Sequence, residues 1–178
     1  MADLVLSGSQ TVGPYLHIGL LRELIGPEVV ARAHPEAIVV RGQLLDGAGA
    51  PVPDGMIETW QADPAGRYDA PGFSGIGRSG TDDDGWFELV TVKPGRVEYP
   101  DGRLQAPHIA VSVFARGLLK RLVTRLYFAD EVTANDEDPV LARLSALERS
   151  TLLGVPDEGF IRFDIRLQGT GQTTFFAI

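Results

Sequence analysis

At 178 residues with no cysteine, the chain has room for one domain and a sizeable core, and has no means for disulfides, zinc–thiolate sites or thiol chemistry. Lys and Arg number 16 against 24 Asp and Glu, a formal charge of −8. That excess argues against nucleic acid or an anionic membrane as partner, and any anionic substrate needs a locally placed cation. No basic-then-apolar leader opens the sequence and no apolar run approaches the ~18 residues of a membrane span, so a soluble, cytoplasmic protein is expected.

Residues 1–35 read as an irregular arm, because Gly13-Pro14 and Gly26-Pro27 both break regular structure; a turn of helix fits near Leu20 to Leu24. The core is expected over 36–178. Ile38 to Leu45 is β-branched and stops at Asp46-Gly47, and Met56 to Gln61 alternates apolar and polar residues, so both read as strands. Gly75 to Gly80 is glycine-rich with no P-loop lysine and no following helix, and reads as a loop. Asp82-Asp83-Asp84-Gly85 lacks the bidentate glutamate of a calcium loop and reads as a hairpin turn into a strand at Trp86 to Val92.

Further strands are expected at Ile109 to Ala115 and Arg121 to Phe128, with Lys120, Arg121 and Arg125 facing solvent or a partner. Asp138-Pro139 opens a helical insertion near 138–153, in which Val140, Leu144, Leu147 and Thr151 recur at helical spacing before Gly154. Phe160 to Leu167 places Ile161, Phe163, Ile165 and Leu167 on one apolar face, and Gln172 to Ile178 is expected as a last strand. Many short strands with Gly- and Pro-rich turns predict a single all-β domain over 1–178, an antiparallel β-sandwich with one or two short helices.

Chemistry-bearing residues are few. His108 lies in a strand pattern whose next same-face position, i+2, is Ala110, so the strand offers one imidazole and one methyl group where a metal would want two donors. Tyr68, Tyr99 and His108 together have the oxygen and nitrogen donors a ferric ion accepts, although each alone is an ordinary packing or hydrogen-bonding residue. His17 and His34 read as surface residues.

The ordered motifs resemble those of the intradiol ring-cleavage dioxygenases, non-haem ferric enzymes acting on catechols. The matching segments are Gly13-Pro14-Tyr15, Ile57-Glu58-Thr59-Trp60-Gln61-Ala62-Asp63 with Gly66-Arg67-Tyr68, Gly77-Arg78 with Thr81-Asp82, and Thr91-Val92-Lys93-Pro94-Gly95. Pro107-His108-Ile109, Phe114-Ala115-Arg116-Gly117 and Thr124-Arg125-Leu126-Tyr127-Phe128 follow in order. The resemblance implies a ferric site of two tyrosinates and two imidazoles. Carried over residue by residue, those ligands fall on Tyr68, Val97, His108 and Ala110, and an arginine that assists the substrate falls on Gln105. Two of four ligands and that arginine are therefore missing, and no iron is expected on this chain.

One branch of the family pairs an iron-bearing β chain with a homologous α chain whose site is vestigial, several such αβ units forming a larger oligomer. The stretch from Gln10 to Gly19 and the ending Phe163 to Gly169 with Phe175-Phe176 resemble that α chain. The resemblance implies Fe(III) on the partner chain only and a catechol substrate, protocatechuate, at the interface, cleaved by O2 to 3-carboxy-cis,cis-muconate. It places Thr11, Gly13, Pro14 and Tyr15 at the substrate entrance and Arg116 near the substrate carboxylate. Among the apolar residues, Phe114, Phe128, Phe175 and Phe176 include candidates for the interface. Two other readings stand beside it. One is a non-catalytic β-sandwich scaffold, and the other a self-sufficient dioxygenase using Tyr68, Tyr99, His108 and a further ligand such as His17.

Overall fold

The computed structural model of the chain describes residues 7–21 and 25–177; the side chain of His17 lies outside the description. The fold is mostly strand: β1 Ala37–Leu45, β2 Met56–Trp60, β3 Ile76–Gly80, β4 Trp86–Val92, β5 His108–Phe114, β6 Leu122–Phe128, β7 Leu153–Asp157, β8 Phe160–Arg162 and β9 Ile165–Arg166. Three short helices, α1 Tyr15–Leu20, α2 Val132–Glu137 and α3 Ala146–Ser150, and a 3-10 turn at Leu141–Arg143 complete it. Among the described residues no helix is long and apolar enough to cross a membrane.

The strands form one continuous path, β3-β2-β5-β6-β7-β8-β1-β4, with β9 added beside β1. Five ladders are antiparallel, but β1–β8, β1–β9 and β6–β7 are parallel, so the expectation of a purely antiparallel sheet is corrected to a mixed one. The parallel pairs arise where the C-terminal strands return beside strands laid down much earlier. Period-2 alternation in β5 sends Ile109, Val111 and Val113 into the main core, where they meet Ile57, Leu126 and Phe128 from the same half of the path and Val40, Leu44, Phe87 and Leu89 from the other. The opposite face of β5 carries His108, Ala110 and Ser112. A second core of Ala106, Tyr127, Ala134, Leu141 and Leu152 lies where the helical segment covers part of that face.

Several boundaries differ from expectation for local reasons. The arm holds α1, which opens directly after Pro14, a residue suited to a helix start; the helix expected near Leu20 to Leu24 falls partly on residues 22–24, outside the described residues. The glycine-rich stretch 75–80 is not a loop, since all of it beyond Gly75 is strand β3. Its glycines serve close approach, since a Cβ on Gly75 would stand 1.9 Å from the Gln61 carbonyl oxygen. The Asp82–Gly85 turn, with Gly85 at φ 75° and Asp82 Oδ1 accepting from the Asp84 and Trp86 amides, links β3 to β4 without closing a ladder between them.

Helical residues begin at Val132, and the segment after Pro139 splits. Leu144 turns extended at ψ 149°, and Ser145 opens α3 with a capping box to Glu148. Leu147 is 74% exposed, so Leu141 and Leu152 supply the buried side chains instead. Phe160 to Leu167 is interrupted at Phe163-Asp164, where the Asp164 carboxylate accepts the Gln43 amide in place of a backbone carbonyl. Residues 172–177 form no strand, although the Phe176 amide donates to the Val123 carbonyl. Phe128 is fully buried, which removes it from the candidates for an interface, whereas Phe175 and Phe176 are half-buried where they pack on the two cores.

Candidate functional site

The face of the sheet opposite the main core brings most of the singled-out residues together. Cross-strand register aligns Trp60, Ala110 and Arg125 in one row and His108 with Tyr127 in the next. The loop after β2 delivers Tyr68. Its Asp63 carboxylate, 5% exposed, accepts from the Ala65 and Arg67 amides and pairs with the Arg67 guanidinium at 2.8 Å, which holds the carboxyl below its ordinary range. Gly66 takes φ 79° beneath the Arg96 carbonyl. The Tyr68 ring then stacks on Trp60, with centroids 6.0 Å apart and planes within 7°.

His108 is 5% exposed, and its Nδ1 lies 2.8 Å from the Ala106 carbonyl oxygen. A carbonyl only accepts, so Nδ1 carries the proton and Nε2 is the free nitrogen of a neutral ring. Burial, then the nearby Arg125 charge, lowers its pKa to about 4 against the opposing pull of the Ala106 carbonyl and Asp138.

Arg125 organises the rest. One guanidinium nitrogen donates to Gln105 Oε1 at 2.7 Å and to the Tyr127 hydroxyl at 3.1 Å. The fully buried Asp138 carboxylate takes the Tyr127 hydroxyl at 3.5 Å, the Ala106 amide at 2.7 Å, and the Val140 and Leu141 amides at 2.8 Å. Burial first, with Asp138 adding to it, pushes the Tyr127 phenol up to about 12. Burial also raises the Tyr68 phenol, while Arg125 pulls it the other way. Tyr68 and His108 therefore feel the same guanidinium.

The four vestigial positions do not compose a ferric site. Tyr68 and His108 offer one phenol and one imidazole nitrogen, while Val97, 7% exposed, and Ala110 offer hydrocarbon. Val97 is fixed through its carbonyl, which accepts the Gln105 amide. Tyr99 lies under the Arg143 guanidinium at 5.7 Å instead of standing in for it. A trivalent cation would need more donors than these and would stand beside the positive charge of Arg125.

The arm residues meet elsewhere. Val12, Gly13, Pro14, Asp54 and Arg116 line a cavity of about 270 Å³. Thr11 Oγ1 accepts the Gly117 amide at 2.7 Å, which ties the arm to the turn after β5, and Arg116 pairs with Asp54 at 2.9 Å. Tyr15 is 80% exposed and is not among the lining residues. A side chain on Gly13 would meet nothing within 4 Å of this chain. Sequence reasoning missed Arg125, Tyr127, Asp138 and Asp54. In sequence Arg125 reads as facing solvent or a partner and Asp138-Pro139 as the opening of a helical segment, so neither signals a buried network.

The family model described as Dioxygenase matches residues 28–169, and the chain belongs to the intradiol ring-cleavage dioxygenase family. Within it, the chain is 44% identical over 189 residues to the protocatechuate 3,4-dioxygenase alpha chain of Pseudomonas putida, covering 94% of each. It is 40% identical over 201 residues to the alpha chain of Burkholderia cepacia, covering 100% of each. The Burkholderia cepacia beta chain is 35% identical, with 93% of this chain and 77% of that one covered.

Proposed function

We propose that this chain is the non-iron-binding α subunit of a protocatechuate 3,4-dioxygenase, acting with a β subunit in the cleavage of protocatechuate by O2 to 3-carboxy-cis,cis-muconate. The observation that carries this reading is near-full-length similarity to two α chains in a chain that itself holds Val97 and Ala110 at the implied ligand positions, with Arg125 beside Ala110. Such a site leaves ring cleavage to the β chain, where a ferric ion, when bound, would supply the chemistry that makes a catechol reactive toward O2. This chain supplies structure and electrostatics. Its shared core, drawing on both halves of the strand path, supports a two-layer sandwich within one domain, with residues 1–35 as an arm.

Arg116 answers the requirement set by the net charge of −8, because an acidic chain admitting an anionic catechol needs a local cation. Thr11 anchors the arm, and Gly13 and Pro14 line the cavity in front of that guanidinium; Tyr15, exposed beside them, suits the entrance or the subunit contact. Assembly into αβ units and then larger oligomers in the cytoplasm completes the reading. The test is iron content and visible tyrosinate-to-iron absorption of the chain alone and co-purified with its β chain. A colourless, metal-free chain that joins a coloured, active complex is expected. Stoichiometric iron and ring cleavage by the chain alone would overturn the reading.

A further inference from the structure

We propose that Asp54 is a specificity-determining residue, the resident counter-ion that Arg116 exchanges for a substrate carboxylate. The inference rests on the reading of Arg116 above and extends it to the group that sets how strongly that arginine binds.

Asp54 Oδ2 and Arg116 Nη2 lie 2.9 Å apart on the wall of the arm cavity. Among the described residues this is the one ion pair of Arg116. The two side chains are 55% and 66% exposed, a setting in which an ion pair contributes little and breaks readily. A ligand carboxylate that meets the guanidinium with two parallel hydrogen bonds is the stronger partner.

The backbone adds an independent argument. Asp54 sits in the Pro53-Asp54-Gly55 turn at φ 60°, the one non-glycine residue among those described with a positive φ. That conformation is the natural place for glycine, and a side chain there carries a conformational cost. The side chain that is present reaches Arg116. The arm is pinned next to Arg116 by the Thr11–Gly117 hydrogen bond, so the pair faces a cavity with a fixed rim, not a free surface.

Two consequences follow for ligands. A carboxylated catechol must displace Asp54, which moderates its affinity. A catechol without a carboxylate leaves the pair intact and gains nothing from Arg116. Asp54 thus scales the contribution of Arg116, for carboxylated ligands alone.

The experiment uses the assembled αβ complex carrying Asp54→Asn or Arg116→Ala. Anaerobic calorimetry gives the Kd of 4-hydroxybenzoate, with phenol as the ligand lacking a carboxylate, and steady-state kinetics give KM for protocatechuate. Asparagine tolerates the left-handed backbone, so the turn is kept. In Asp54→Asn, 4-hydroxybenzoate is expected to bind roughly two- to five-fold more tightly, the range set by an exposed ion pair, with KM falling alike and phenol unchanged. Unchanged or weaker 4-hydroxybenzoate binding in Asp54→Asn, while Arg116→Ala weakens it, overturns the role of Asp54 and leaves Arg116 standing. Equal tightening for phenol overturns it too, by showing a general charge effect. No weakening in Arg116→Ala overturns both roles.

Discussion

The neutral, buried His108 makes a quantitative claim about acid stability. Its imidazole has an ordinary pKa of 6.5 when unfolded and about 4 when folded, because burial and Arg125 disfavour the charged ring. Between those values the unfolded chain binds a proton that the folded chain refuses. The contribution is therefore fully present above about pH 6.5 and is lost as pH falls toward about 4. At about 1.4 kcal/mol per pH unit, that window amounts to about 3 kcal/mol. Asp63, Asp101 and Glu148 are held below their ordinary values of 3.8, 3.8 and 4.5 by hydrogen bonds, so their losses begin only at the acid end of that window and are shared by the variant. The assay is urea unfolding followed by Trp60 and Trp86 fluorescence at fixed protein concentration across that window, for the unaltered chain and His108→Asn. Asparagine keeps an amide donor for the Ala106 carbonyl and does not titrate. The unaltered chain should lose about 3 kcal/mol more than the variant between neutral pH and pH 4. Parallel curves would refute the account of a neutral imidazole beside a guanidinium.

The same network predicts the alkaline limb. Tyr127 ionises near 10 unfolded and about 12 folded, so its contribution holds below pH 10 and is lost as pH rises toward 12. Tyr127→Phe should flatten that decline by about 3 kcal/mol, checked by unfolding at stepped high pH. Gly42 approaches the returning chain so closely that an added Cβ would lie 1.7 Å from the Phe163 carbonyl oxygen. Gly42→Ala is expected to cost about 1–3 kcal/mol by urea midpoint, whereas Gly13→Ala, with open space around it, should stay within about 0.5 kcal/mol.

Alternation and β-branching made β1, β2, β4, β5 and β6 legible in sequence, each within a residue or so of its ends. Strands β3 and β7 were not, because Gly77, Gly80, Gly154 and Pro156 carry the signals of turns. In the fold Gly77 and Gly154 admit neighbours; a Cβ on Gly154 would stand 2.7 Å from Ile161 Cγ2. The ligand positions Tyr68, Val97, His108 and Ala110 were legible through ordered motifs. Arg125 was not, since its place beside Ala110 is a property of strand register, which no single segment encodes. With only a methyl group at position 110, the long arginine can lie over that row and reach Gln105 and Tyr127. Asp54 shows the same limit. Its own turn is local, Pro53-Asp54-Gly55, whereas its partner Arg116 lies beyond four intervening strands.

The parallel pairing of β1 with β8 and β9 bears on how the chain is made. Val40 meets Ile161 and Leu44 meets Ile165, and the Gln43 amide finds its acceptor only in Asp164. A ribosome releasing the chain at about 5–20 residues per second leaves one side of β1 without its neighbour for several seconds. During that interval Val40 and Leu44 lack their last covering residues, and an unpaired strand edge is open to foreign chains. Closure over so long a loop also slows folding. Premature termination before Phe160 would therefore leave a polypeptide with most of its strands and an unfinished edge, a natural substrate for chaperones and proteases.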